Sequence, residues 1–507
     1  MSLQEWPQLR SPRTIVDTVH GNIQLFHPID VLVDTKEFQR LRSLKQLGLT
    51  PLVYPSGTHT RFSHSLGTYH LAFKLVDQLR RTNPDWNINS QDHLCVAVAA
   101  LLHDLGHGPL SHLFDGAFRE EMGNKMPKHE KVSVMLIERL FNNTKVKKAF
   151  EPYLGFGGHL DLNVQFICEL VSSKRFDSED RWLPIGRKLE KSFLYDVVSN
   201  DCDSIDVDKW DYLLRDSLST GVGIGFNRLS VDRLIENAWI ATSEERSHHR
   251  RIAWFGKVDT TLAEIGLGRQ QLHERLYQHK VVRAIESLVV RAFQLASPQL
   301  LFRGDDGELY PLSRVTEDMG AFLRTSDSIY ERILNSTEPE LAEARELLEA
   351  IEHRQIPQEL DSESFSPVKA DSLANLDTNP GGNSDRKVEY MVKAELFRRL
   401  REQDIEAAES DIILITRVLH CGLGRTNPME KVLLVDKNQN ARTIAKEKIL
   451  LKSAESSEIR WLGLYVPRGR PSSSLDQIKD TFDQILVDFG LRSTSLRSSP
   501  SNSQSSL

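Results

Sequence analysis

Apolar side chains recur at helical spacing through most of the first 353 positions. In Leu71-Ala72-Phe73-Lys74-Leu75-Val76-Asp77-Gln78-Leu79 they return every third or fourth residue, which predicts a helix with one buried face, set within a longer helix over 66–79. The run from Leu94 to Leu102 is apolar on every side, so its helix is expected to be enclosed all round. Further on, Thr337 and Glu340 stand at capping-box spacing ahead of a stripe formed by Leu341, Ala344, Leu347, Leu348 and Ile351. Between 354 and 386 the period disappears into Ser, Pro, Asn, Asp and Gly, the composition of a flexible linker or long surface loop. A helix over 388–402, β-rich runs at Ile412–Leu419, Lys431–Val435 and Ile459–Val466, and a helix over 475–490 come next. The chain therefore reads as mainly α: a helical body over 1–353, a linker over 354–386, and a small α+β lobe over 387–492. The Ser-rich tail, 493–507, is expected to be disordered.

Composition narrows the class without naming it. The 507 residues carry 64 basic and 71 acidic side chains, a net charge of −7, which excludes a wholly basic nucleic-acid coat. Cys95, Cys168, Cys202 and Cys421 lie far apart and form no CxxC pair, so neither a disulfide framework nor a zinc knuckle is expected. The opening MSLQEWPQLR has no signal-peptide core, and Leu94–Leu102 is too short to cross a membrane. These features point to an intracellular protein with no membrane partner.

The histidines change the picture. Eight of the 17 fall between His59 and His129. The enclosed helix runs straight into His103-Asp104, and an imidazole and a carboxylate are costly there unless paired or bound to a metal. Gly106, Gly108 and Pro109 then fold the backbone sharply, so that His107 and His112 can point back toward the pair. Imidazole and carboxylate are ordinary ligands of several divalent metals, iron, zinc and manganese among them. Upstream, His64 in Arg61-Phe62-Ser63-His64-Ser65 can add a ligand while Arg61 meets an anion. Downstream, Asp208, Tyr212 and Asp216 share one helix face that looks onto either water or a cleft. Taken singly, Lys209 and Arg269 read as surface charges and Tyr212 as core packing.

The order His64, His103-Asp104, Asp208 is the H…HD…D signature of HD-domain phosphohydrolases. Longer strings are more specific: Arg61-Phe62-Ser63-His64-Ser65-Leu66-Gly67, His103-Asp104-Leu105-Gly106-His107-Gly108-Pro109-Leu110-Ser111-His112, Lys128-His129-Glu130, Ile205-Asp206-Val207-Asp208-Lys209-Trp210-Asp211-Tyr212, Tyr277-Gln278-His279-Lys280 and Asn427-Pro428-Met429-Glu430-Lys431-Val432. Together they resemble the eukaryotic SAM-and-HD-domain deoxynucleoside triphosphate triphosphohydrolases, without a preceding SAM module. The resemblance implies hydrolysis of a dNTP, dGTP included, to deoxynucleoside and inorganic triphosphate. It implies a divalent metal on His64, His103, Asp104 and Asp208, with Mg2+ accompanying the nucleotide. His112 would protonate the departing 5′ oxygen with Asp115 orienting its ring. His107, His129 and Arg61 would meet phosphate charge, with Glu130 supporting His129.

Lys209, Tyr212, Asp216 and Arg269 match triphosphate- and sugar-binding positions, and Gln46 and His279 match positions near sugar and base. Asp34, Gln39 and Arg42 match residues that read a guanine activator, with Arg13 in place of a phosphate-binding lysine. Val16 departs from the pattern, where the family has asparagine, and so does the stretch 354–386. The resemblance further implies activation by GTP or dNTP, a homo-oligomer, and a location in nucleus or cytoplasm, with the nucleus favoured. Two other readings share the scaffold: an HD-type nucleotidase or phosphodiesterase acting on other esters, and a non-catalytic binder of nucleotide or single-stranded nucleic acid.

Overall fold

The computed structural model describes residues 6–7, 12–172, 174–243, 249–374, 384–408, 412–444, 449, 458–469 and 471–492. The chain divides into two units, Met1–His353 with Cys421–Ser453, and Arg354–His420 with Ala454–Leu507.

The first unit is built around α1 (Arg61–Thr82), α2 (Ser90–Leu102), α3 (His129–Asn142), α4 (Leu160–Val171) and α5 (Val207–Thr220). On α1 the stripe Leu71, Ala72, Leu75, Val76 and Leu79 is buried, as its spacing predicts. The helix stops at Asn83, ahead of Pro84, which cannot continue it. Asn89 caps α2 by accepting from the Asp92 amide at 2.8 Å, and Asp92 returns the bond to the Asn89 amide at 3.2 Å. Every residue of α2 from Asp92 to Leu102 is buried. Each leucine enclosed this way stabilises the fold by about 1.5–3 kcal/mol. Because α2 packs against both α1 and α4, and α1 also packs against α5, the C-terminal end of α2 is held inside the unit.

Four short strands were not visible in the periodicity. β1 (Arg13–Asp17) and β2 (Gly21–Leu25) form an antiparallel hairpin. β3 (Ala238–Thr242) and β4 (Arg250–Phe255) form another, and strand Leu433–Val435 joins β4 in parallel, followed by Ala441–Thr443. The run Lys431–Val435, expected in the C-terminal lobe, therefore belongs to the first unit. Its partner β4 lies far upstream, and local pattern carries no record of such a pairing.

The second unit is α+β. Strand Glu458–Val466 lies between Gln358–Phe365 and Ile413–His420, antiparallel to both. Helices Ser384–Glu402 and Ser472–Asp488 contribute Val392, Leu396, Phe482 and Ile485 to its core, together with Leu462 and Leu464. The expected linker over 354–386 is corrected here, because Gln358–Phe365 is a strand and Pro367–Ala374 a helix. The strand was hidden because its alternating residues are acidic rather than apolar: Glu359 meets Arg417, and Asp361 and Glu363 meet Arg492. Residues 375–383, within the same expected linker, and the tail 493–507 lie outside the described residues. The capping box at Thr337 does not form either. Pro339 opens a tight turn through Leu341, and the helix begins at Ala342 without a side-chain cap. Among the described residues no helix is long and apolar enough to cross a membrane.

Candidate active site

The turn after α2 sets the geometry. Gly106 packs so closely on α3 that a Cβ there would lie 2.1 Å from the His129 carbonyl oxygen and 2.4 Å from the Ser133 amide. Ser133 Oγ accepts from the Gly106 amide at 2.9 Å and donates to the His103 carbonyl at 2.6 Å. Arg40 ties the same turn by donating to the His107 carbonyl at 2.9 Å. Leu110 and Ser111 both adopt left-handed backbone, at φ 59° and 58°. Such conformations cost about 1–3 kcal/mol each in non-glycine residues and persist where surrounding bonds hold them. Here Asp327 accepts from the Leu110 amide at 2.7 Å, and Ser111 Oγ accepts from Arg61 Nε at 2.8 Å and donates to the Lys45 carbonyl at 2.7 Å.

Three distant stretches then converge. Asp208 Oδ1 lies 3.0 Å from His64 Nε2 and 3.4 Å from His103 Nε2. Asp104 approaches the same two nitrogens at 3.5 and 3.3 Å. Yet His64 Nε2 and His103 Nε2 are buried and make no hydrogen bond. Both rings have their other nitrogen committed, His64 Nδ1 to Asp211 at 2.8 Å and His103 Nδ1 to the Ala100 carbonyl at 2.9 Å. A carbonyl only accepts, so His103 carries its proton on Nδ1 and presents a lone pair from Nε2. Two imidazole nitrogens and the Asp208 carboxylate lie close enough together to share a divalent cation, with Asp104 beside both rings.

The electrostatics agree. Burial pulls the His64 imidazole down, but the facing carboxylates of Asp208, Asp211 and Asp104 overcome it and carry its pKa up to about 10. Burial opposes ionisation of Asp208 and Asp104 as well. His103 and His64 nevertheless hold Asp208 far below the carboxylate range, and His103 and Arg61 do the same for Asp104.

A second group adjoins the first. His107 Nε2 is 3.3 Å from Asp104 Oδ1, and its ring stacks on His129 with centroids 3.9 Å apart. His112 meets His107 edge-on at 5.0 Å. Arg61 donates to Asp104 at 2.5 Å. One expected contact is corrected: the Asp115 hydrogen bond goes to His107 Nδ1 and not to His112. Asp115 sits on the wide turn Leu113–Phe118, which faces it toward the His107–His129 stack. Glu130 lies 3.7 Å from His129 Nδ1. Desolvation, with the charges of His107 and Arg61, pushes His112 well below the imidazole range. Desolvation and His107 bring His129 to about 4.

The face that bears Asp208, Tyr212 and Asp216 is covered at its far end by protein and does not look onto water there. Asp216 is buried, accepting from Tyr277 Oη at 2.6 Å and facing His59 Nε2 at 2.7 Å. Tyr277 in turn meets Tyr212 edge-on at 6.4 Å. Arg269 acts electrostatically on both phenols. Lys209 Nζ is 3.0 Å from Asp206. The Gln46 amide donates to the His59 carbonyl at 2.9 Å, and its Oε1 is buried without a hydrogen bond. His279 caps the helix Lys280–Ala296 and meets Tyr54 edge-on at 5.9 Å. The four activator-matched residues form two pairs. Arg13 pairs with Asp34 at 2.8 Å, Arg42 donates to Gln39 at 2.9 Å and lies over Phe62, and Val16 is 82% exposed.

Sequence reasoning missed Asp211, His20, Arg215, Asp17 and His59. The signal for Asp211 and Arg215 was present: two opposite charges at i,i+4 on the same stretch as Trp210, Leu213 and Leu214.

A helical scaffold that brings H, HD and D residues together defines the HD-domain class, and the HD domain model matches residues 61–216. The chain is 36% identical over 476 residues to the deoxynucleoside triphosphate triphosphohydrolase SAMHD1 of Gallus gallus, covering 92% of this chain and 74% of that protein. Against the Homo sapiens protein of the same name it is 40% identical over 348 residues, covering 68% and 54%. A SAMHD1 homolog of Dictyostelium discoideum is 32% identical over 374 residues, covering 73% and 65%. The chain belongs to the SAMHD1 family.

Proposed function

We propose that the chain hydrolyses deoxynucleoside triphosphates to deoxynucleoside and inorganic triphosphate, with a divalent metal held by His64, His103, Asp104 and Asp208. One observation carries the reading: two buried imidazole nitrogens without hydrogen bonds face two carboxylates. A bound divalent cation supplies a more acidic water and a polarised phosphoryl oxygen.

The chain's own residues do the rest. Arg61, locked by Asp104 and Ser111, presents fixed positive charge to the phosphates. His107 is held by Asp115 and stacked on His129, so the triphosphate meets a rigid wall of imidazoles. Burial and the charges of His107 and Arg61 hold His112 well below the imidazole range. The negative charge of an arriving triphosphate raises its proton affinity, which equips it to protonate the 5′ oxygen as that oxygen departs. Tyr212, Tyr277 and Asp216 form a bonded wall for the sugar, Gln46 and His279 approach sugar and base, and Lys209 and Arg269 bind phosphate.

The finer parts rest on the resemblance and on the pairing of Arg13 with Asp34 and of Gln39 with Arg42: activation by GTP or dNTP, a homo-oligomer, Mg2+ with the nucleotide, and a nuclear location. The test incubates the purified chain with each dNTP and Mg2+ or Mn2+, with and without GTP, and follows phosphorus species by 31P NMR. Tripolyphosphate is expected as the first product. Stepwise orthophosphate would favour the general HD nucleotidase instead, and binding without turnover a nucleotide or nucleic-acid binder.

A further inference from the structure

Behind His64, on the side of the ring away from Asp208, lies a buried charge array that the proposed chemistry does not use. Asp211 is fully enclosed, and its two oxygens accept four contacts: His20 Nε2 at 2.6 Å, His64 Nδ1 at 2.8 Å, and Arg215 Nε and Nη2 at 2.8 and 2.9 Å. Asp17 holds the far side of Arg215 at 2.8 Å and accepts from the Val19 and His20 amides, each at 2.9 Å. The loop of the β1–β2 hairpin is thereby fixed, and with it the reach of His20. Gly67, one helical turn beyond His64 on α1, completes the enclosure: a Cβ there would lie 1.8 Å from Asp211 Oδ1.

We infer that Asp211, backed by His20, Arg215 and Asp17, is the positioning residue of the metal centre, holding His64 with its proton on Nδ1 and its Nε2 lone pair turned to the cation. A saturated carboxylate can only accept, so Nδ1 must donate. Arg215 cannot release its proton, so the carboxylate has no reason to take one from His64. The ring is left one free nitrogen in one direction. Metal-binding histidines generally owe their tautomer and aim to such a partner, whose loss weakens metal affinity about 10–100-fold. His103 needs only a carbonyl for the same service.

The inference rests on the proposed metal site, and its test is chosen so that the two fail separately. Mn2+ is titrated into the nucleotide-free full-length chain by calorimetry, with thermal melting as a check on folding. Asp211→Asn offers one acceptor oxygen in place of two, and its NH2 toward His64 drives the imidazole proton onto Nε2. A loss of Mn2+ affinity of about 10–100-fold is expected. His20→Phe should weaken Mn2+ several-fold, and His20→Gln, whose amide can donate to Asp211, should restore it. Gly67→Ala should weaken it through displacement of the Asp211 carboxylate. Should Asp211→Asn not fold, the His20 pair decides the question. Wild-type Mn2+ affinity in folded Asp211→Asn or in His20→Phe overturns the inference and leaves the metal site standing. A wild-type chain that binds no Mn2+ overturns both.

Discussion

Two charge clusters in the first unit both rest on aspartates and are built to opposite ends. Around Arg175 every group has a protein partner. Asp196 meets it at 2.5 Å, Asp201 at 3.2 Å, the Tyr195 and Ser199 carbonyls accept from it, and the Ile252 amide donates back to Asp196 at 3.0 Å. Around His64 and His103 the nitrogens that point inward make no hydrogen bond, although carboxylates stand 3.0 to 3.5 Å away. A closed cluster stabilises position, whereas an open one keeps binding capacity in reserve. Burying polar atoms without partners costs roughly 1–3 kcal/mol each, a cost a purely structural cluster would not carry.

The sharpest way to break this comparison is to delete both sides. His103→Ala with Asp104→Ala should cut triphosphate release by about a thousandfold or more while leaving the melting temperature unchanged or raised. Arg175→Ala should instead destabilise the chain by about 3–5 kcal/mol in denaturant titrations, because it strands Asp196 inside the protein. An equal stability loss in both variants would erase the distinction.

Chelation comes next. Dialysis against a chelator should abolish turnover and lower the melting temperature, and Mn2+ at a hundredfold over its dissociation constant should return about 2.7 kcal/mol. A chain whose melting ignores chelation has no open cluster.

His93 sharpens the contrast through pH. It is buried with a single carbonyl partner, Phe73 at 3.0 Å, and desolvation brings its pKa to about 4. The folded chain thus binds fewer protons here than the unfolded one. The stability is complete above the unfolded value near 6.5 and is lost as pH falls from there toward 4. Up to about 3 kcal/mol is at stake. His93→Gln should flatten the melting profile over that interval, and an unchanged slope would rule the group out.

The smallest expected stability effect is at the surface. Arg13→Ala removes a half-exposed pair with Asp34 and should change stability by less than about 1 kcal/mol. If the activator proposal holds, the stimulation by GTP should still fall sharply in initial-rate assays.

What the sequence made legible follows how local each feature is. The enclosed α2 helix, its sharp exit and the pair at its end lie within a few consecutive residues, so pattern alone exposed them. That His64 and Asp208 reach the same point could be had only from the resemblance, since nothing in their spacing joins α1 to α5. The bond from Asp115 to His107 was assigned to the wrong ring because turn geometry, not ligand type, decides which imidazole a carboxylate meets. Gln358–Phe365 escaped because an acidic edge strand has no apolar alternation to display. Asp211 was quoted within a motif and given no role, although a carboxylate beside Trp210 on an enclosed face demands a partner.

The strand at Leu433–Val435 has a consequence for how the protein is made. Lying parallel to β4, it covers an edge whose backbone groups are otherwise bare, and it supplies apolar packing for Ala241 and Ala253. During synthesis, that edge waits uncovered until most of the polypeptide has emerged from the ribosome. A gene fragment stopped at codon 353 would keep His64, His103, Asp104 and Asp208 yet leave the edge permanently open to pairing with other molecules. Such a fragment is expected to accumulate as aggregate.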